Sequence, residues 1–318
     1  MRRRKNPQSK TVLLGVLLLG GAGFLLLIGR LGFEAVKDRA ALVQRDVATP
    51  VLVHEDALPC EPRRNCREIT LVVPGHAQVR ISLSLPATIP EGGVPSVVLL
   101  GGFDIGMRSI YEVPNAGANA VIGYDYPLDR DLWYEAGWLK RVFVARTAVR
   151  EVPAHVLSIL RWTRAQAWSD GRASLLGFSL GALFLPAAHH MAALHGEAVG
   201  PSVIAYGGAD LAPILGVALA GEPGWKRVPL TALALFFLRD LEPAYHLPKL
   251  KGEFLLINGN GDRRMPAETV ERLQRLTPQQ KTIVTLDSDH MMPGNQALMD
   301  RIVDISRRWL IERKAVNG

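Results

Sequence analysis

Ala173-Ser174-Leu175-Leu176-Gly177-Phe178-Ser179-Leu180-Gly181-Ala182-Leu183-Phe184 is the stretch on which the reading of this chain turns. Its first six residues are a short apolar run of the kind found in strands buried on both faces. SLGALFLPAAHH, from Ser179 onward, reads as the opening of a helix. Ser179 therefore stands on a strand-to-helix turn with Gly177 and Gly181 two places to either side. Glycines at those positions let neighbouring elements approach without side-chain clashes. The turn holds the hydroxyl clear of the sheet and aims the positive end of the helix at any negative charge developing there. A serine hydroxyl is a weak nucleophile until a base, itself oriented by a carboxylate, takes its proton. The rest of the chain must therefore be searched for both.

Working outward, SVVLL (96–100), AVIGYD (120–125), SVIAYG (202–207), EFLLING (253–259) and TIVTLD (282–287) repeat the buried-strand pattern. REITLVV (67–73) and QVRISLSL (78–85) instead alternate polar with apolar residues around PGHA, which predicts an antiparallel pair. Helical stretches run over 148–166, 180–194, 267–276 and 296–314. Strand and helix alternate, so the expected fold class is α/β with a mostly parallel sheet flanked by helices. The segment 209–250 is too long for an ordinary loop and carries TALALFFL, which predicts an inserted helical cap. Such a cap either lines a substrate entrance or packs on the body, and the two are compatible.

Asp262 lies in INGNGDRRMP directly after one strand, and His290 lies in LDSDHMMP after the next, so the chain order is Ser, Asp, His. Asp210 also follows a strand and is the rival acid, because such residues are identified by geometry and not by order. Asp287 and Asp289 sit too close to His290 in sequence to be preferred. His189, His190 and His195 lie on the helix after the turn, where a solvated or structural role is expected. Tyr124, Asp125 and Tyr126 end a strand on the side where loops gather, either lining a pocket or packing the strand end. G-x-G-x-x-G is satisfied neither at Gly101 nor at Gly259 and Gly261, which argues against a dinucleotide site.

GFSLG, NGNGD and SDH, together with the strand-ending GGFD, resemble the α/β-hydrolase superfamily over residues 67–318. GGFD, YDYP and GGADL further resemble a poorly characterised bacterial branch near the dienelactone-hydrolase-like enzymes. The resemblance implies Ser179 as nucleophile, Asp262 as the residue orienting the imidazole, and His290 as general base and then general acid. It also implies an oxyanion hole from the backbone N–H groups of Phe103 and Leu180, with no metal and no organic cofactor. The GGF loop lacks the histidine of an HGGG motif. The implied activity is a serine hydrolase cleaving an ester or related acyl bond in a small-molecule or lipid-like substrate. A serine peptidase or acyltransferase using the same triad is the alternative, as is a non-catalytic binding module of the same fold.

The chain has 318 residues, 48% of them hydrophobic, and a formal charge of +7. Arg2, Arg3, Arg4, Lys5 and Lys10 lie in the first ten residues with no acid among them, which leaves +7 − 5 = +2 for the remainder. A nearly balanced body gives no support to nucleic-acid binding. After the basic tail (1–10) comes TVLLGVLLLGGAGFLLLIG, a 19-residue uncharged run over 11–29. At about 1.5 Å per residue, such a run nearly crosses a hydrocarbon core of about 30 Å. It reads as a transmembrane anchor, and the absence of an A-x-A site after it disfavours a cleaved signal peptide. The basic side is expected in the cytoplasm, which would make this a single-pass bacterial inner-membrane protein with its body periplasmic or extracellular. Residues 30–66 read as a juxtamembrane helix and linker. Within them Cys60 and Cys66 are the chain's two cysteines, either closing a small disulfide loop in an exported body or remaining free thiols. Neither has the spacing of a zinc site.

Overall fold

The computed structural model describes residues 39–292 and 294–318; the basic tail and the apolar run 11–29 lie outside the described residues. Among the described residues, no helix is long and apolar enough to cross a membrane. Leu42–Gly318 form one compact unit.

Its sheet contains, among the described residues, nine strands: β1 (Val51–Leu58), β2 (Arg64–Val72), β3 (Val79–Pro86), β4 (Val94–Leu100), β5 (Ala120–Tyr124), β6 (Ser169–Phe178), β7 (Ser202–Ala205), β8 (Phe254–Gly259) and β9 (Lys281–Leu286). Their order is β1-β2-β3-β5-β4-β6-β7-β8-β9. β1 to β3 join the sheet antiparallel, while every pairing from β5 to β9 is parallel. β4 is buried along its whole length, as a central parallel strand must be.

The helices are α1 (Arg130–Glu135), α2 (Trp138–Arg164), α3 (Leu180–Leu194), α4 (Leu211–Ala218), α5 (Gly224–Leu238), α6 (Pro243–His246), α7 (Ala267–Leu276) and α8 (Gln296–Glu312). Successive strand residues feed opposite layers, following the two-residue period of a strand. Val98 and Leu100 pack with Val152 and Leu157 of α2 and Leu185 of α3. Val97 and Leu99 pack with Leu298, Ile302 and Trp309 of α8. The strand order reverses at β4, which lies between β5 and β6. In open sheets of this kind, ligands bind beyond the carboxyl ends of the strands at such a reversal.

Two expectations are corrected. Residues 51–58, read as linker, form β1, and β2 begins at Arg64, so the sheet starts upstream of residue 67. β1 shows no apolar alternation because it is exposed along nearly its whole length. Its ladder with β2 holds it, as does a disulfide joining Cys60 to Cys66 with the Cα atoms 5.5 Å apart. The second correction concerns α2, which starts at Trp138 and not near residue 148. Its first turn is tied down by Arg141, whose guanidinium donates to the carbonyls of Trp133 and Tyr134.

Candidate active site

The turn between β6 and α3, called the elbow below, is tightly packed. Ser179 adopts φ 53° and ψ −110°, a region L-residues avoid at a cost of about 1–3 kcal/mol. A Cβ on Gly181 would fall 1.8 Å from the Leu100 carbonyl oxygen, and one on Gly177 would fall 2.7 Å from the Gly181 carbonyl oxygen. Only hydrogen fits at either place, so the turn is braced directly against β4. The Ser179 N–H donates to the Ala205 carbonyl of β7 at 3.0 Å, which locks the strained residue on its other side.

That position presents Ser179 Oγ 2.8 Å from His290 Nε2. Asp262 Oδ2 lies 2.7 Å from His290 Nδ1. The second carboxylate oxygen of Asp262 accepts the N–H groups of Arg264 at 2.8 Å and Met265 at 3.1 Å, so the turn after β8 fixes its orientation. The side chains of Asp262 and His290 are only 1% and 6% exposed. A buried carboxylate on Nδ1 favours the tautomer with its proton there, which leaves Nε2 free to accept the serine proton.

No protein-family model and no curated protein matches the sequence. Solved structures do match. An acetyl xylan esterase from a Thermoanaerobacterium species superimposes with a TM-score of 0.60 and 14% identity, covering 83% of this chain and 91% of that one. An acetyl xylan esterase from a Paenibacillus species gives 0.59 and 12%, covering 84% and 92%. Pyrococcus horikoshii acylaminoacyl peptidase gives 0.56 and 13%, covering 89% of this chain and 45% of that one. This chain has the α/β-hydrolase fold.

Within the α/β-hydrolase sheet, two tyrosines hold the loops of the site. Tyr126 donates from its hydroxyl to the Gly101 carbonyl at 2.7 Å, anchoring the strand end that leads to Phe103. Burial pushes that phenol well above its ordinary pKa. Tyr124 packs edge-on against Tyr126 and bonds His155, so the Tyr124–Tyr126 strand end is a packed support and not a pocket wall. Asp125 is paired with Arg130. Tyr206, which sequence reasoning did not single out, is the second support. Its hydroxyl pairs with Ser288 Oγ, and its ring stands edge-on to the His290 imidazole at 5.6 Å. The Ser288 carbonyl in turn accepts the Gly261 N–H at 3.1 Å, so Tyr206 ties the histidine loop to the acid loop. Its place at the end of β7, next to the elbow strand, is the only sequence signal that marks it.

The rival candidates are engaged elsewhere. Asp210 caps α4 by accepting the Ala212 N–H and pairs with Arg272 at 2.7 Å. Asp287 and Asp289 are exposed. His190 and His246 approach through their Nδ1 atoms at 3.0 Å. His189 is buried against Phe254, and burial pushes its imidazole down to about 4. His195, at the end of α3, is half-buried. Among the described residues, no group of three or more His, Cys, Asp or Glu is placed to hold a metal ion.

Ser179 opens onto a cavity of about 440 Å³ at the strand ends. Phe103 and Leu180 line it beside Ser179. Leu180 is the first residue of α3, where backbone N–H groups have no partner within the helix. Trp133 and Trp138 form one wall, and Leu211, Ile214 and Leu238 of the segment 209–250 form another. The lining carries charge only at Asp104 and Arg264. Such a lining is mostly apolar, with few polar groups to orient a ligand.

Proposed function

We propose that this chain is a membrane-anchored serine hydrolase that cleaves a carboxylic ester or related acyl bond. The observation that carries the reading is the unbroken line from Ser179 Oγ through His290 to Asp262. Ser179 Oγ attacks the acyl carbon while His290 Nε2 takes its proton. The imidazolium formed, stabilised by Asp262, gives that proton to the leaving alcohol oxygen. Water then attacks the acyl-enzyme, loses its proton to His290, and releases the carboxylic acid as the proton returns to Ser179. The backbone N–H groups of Phe103 and Leu180 stabilise the oxyanion at each stage, and one such donor is worth about 3 kcal/mol. The esterases that share the fold and the apolar cavity support an acyl substrate, either a small molecule or lipid-like.

The anchor rests on the run 11–29 and the basic tail before it. The Cys60–Cys66 bridge favours an oxidising compartment, as a periplasmic or extracellular body requires. Treatment of the purified chain with a fluorophosphonate probe tests the chemistry. The wild type should label, while Ser179→Ala should not and His290→Ala should label far more slowly. A folded wild-type protein that stays unlabelled rejects the reading. For topology, external protease should digest the body in cells with a permeabilised outer membrane.

A further inference from the structure

The outer face of α5 has the chemistry of an interface. Trp225, Val228, Pro229 and Ala232 recur at helical spacing and share one face. All four are exposed, Trp225 by 76% and Val228 by 69%. A solvated cap helix would place polar residues there. The charged residues of α5 are Lys226, which borders that face, and Arg227, which lies farther round the helix; both are exposed, and the nearest acidic residue, Glu222, precedes the helix. Lys226 Nζ lies 5.2 Å from the Trp225 ring centroid, which gathers an aromatic ring and a cation at one point. The inner side of the same helix reaches the cavity through Leu238.

We propose that this face docks on a phospholipid bilayer rich in anionic headgroups. Trp225 and Val228 enter the boundary between headgroups and acyl chains, Lys226 beside them meets lipid phosphates, and Arg227 farther round the helix adds positive charge. An exposed apolar stripe that contains a tryptophan and is bordered by a lysine, on a helix whose only charged residues are basic, suits a site in the plane of such a surface. The charge pattern argues against a second copy of this chain as the occupant. A two-fold contact would bring together from each copy Lys226, Arg227 and the single carboxylate of residues 221–238, Glu222, which leaves a net like charge across it. Because the docking helix also walls the cavity, the substrates that fit are acyl esters of lipids drawn from that surface. This last step rests on the serine-hydrolase reading, whereas the docking itself does not.

The test uses the full chain reconstituted into vesicles whose lipids carry bromine near the top of the acyl chains. In equimolar phosphatidylcholine and phosphatidylglycerol, the bromine should quench a fluorescence component that Trp225→Phe lacks. The Lys226→Glu/Arg227→Glu variant should lose that quenching, as should wild type in phosphatidylcholine alone. Hydrolysis of long-chain esters carried in the vesicles should fall roughly tenfold or more in the charge-reversed variant. Hydrolysis of a short water-soluble ester should be unchanged in it. Equal quenching in wild type and Trp225→Phe overturns the docking, as does a dimer through this face that crosslinks at position 225. A wild type inert toward the short ester rejects the hydrolase reading alone, and the quenching still decides the docking.

Discussion

At the elbow a single added methyl group on Gly181 would fall 1.8 Å from the Leu100 carbonyl oxygen, whereas on the cap helix α5 a whole tryptophan stands 76% exposed. Both regions border the same cavity, Ser179 and Leu180 on one side and Leu238 on the other. The elbow holds one backbone conformation against its own strain because neighbouring strands close on it, and placing a reacting oxygen within hydrogen-bond reach of a base demands that. The cap covers the cavity through side-chain contact and leaves its outer face unpaired, so sequence changes there should alter what is admitted more than what is done. Where the two regions meet, Glu242 spans the join. Its carboxylate accepts the N–H groups of Asp210 at 2.8 Å, Leu211 at 2.9 Å and Ala244 at 3.0 Å, pinning the base of the cap beside the end of β7.

The contrast can be broken most directly at Ser179. Ser179→Ala should lower kcat/KM for a soluble ester by about 10⁵-fold or more while leaving Tm unchanged; a Leu238→Ala change of similar size would erase the distinction between the regions. Asp262→Asn should follow at about 10⁴-fold, because an amide no longer selects the His290 tautomer that frees Nε2. Gly181→Ala should cost more than about 3 kcal/mol in denaturant unfolding, against less than about 0.5 kcal/mol for Trp225→Ala, which sharpens the contrast as one of stability.

Acid should act on the packed side. The His189 imidazole sits at about 4 in the folded chain, whereas in the unfolded chain it titrates near 6.5. The unfolded state therefore binds the extra proton between these values. Stability present above about pH 6.5 should fade as pH falls toward about 4, by up to ~3 kcal/mol. His189→Leu should flatten that part of the Tm profile, and an unchanged slope would contradict the assignment. A more modest effect than at Gly181 is expected at the join, where Glu242→Gln should cost about 1–2 kcal/mol and raise KM more than it lowers kcat.

Much of this site can be read along the chain. GFSLG announces a strand, a sharp turn and a helix, and Asp262 and His290 each follow an apolar run that ends in the loop holding them. Asp210 offers the same local signal as Asp262, so no local pattern separates the two acids. Position separates them: Asp210 faces Arg272, and Asp262 faces His290. β1 escaped notice because exposure on both faces removes the alternation that marks a strand. Tyr206 escaped for the opposite reason, being one more buried aromatic until Ser288 is seen against its hydroxyl.

Local order along the chain thus settles the alternation of strands and helices and the glycines of the elbow, since periodicity and backbone freedom are properties of near neighbours. It also settles the charge asymmetry of the N-terminus. Which carboxylate meets the imidazole and which tyrosine braces it depend on sheet order and packing. So does whether a hydrophobic helix face ends in the core or in solvent. Ser179 and His290 are 111 positions apart, and only the register of β6, β7, β8 and β9 brings them to 2.8 Å. That register is a non-local choice, made when the two layers of the core close over the sheet.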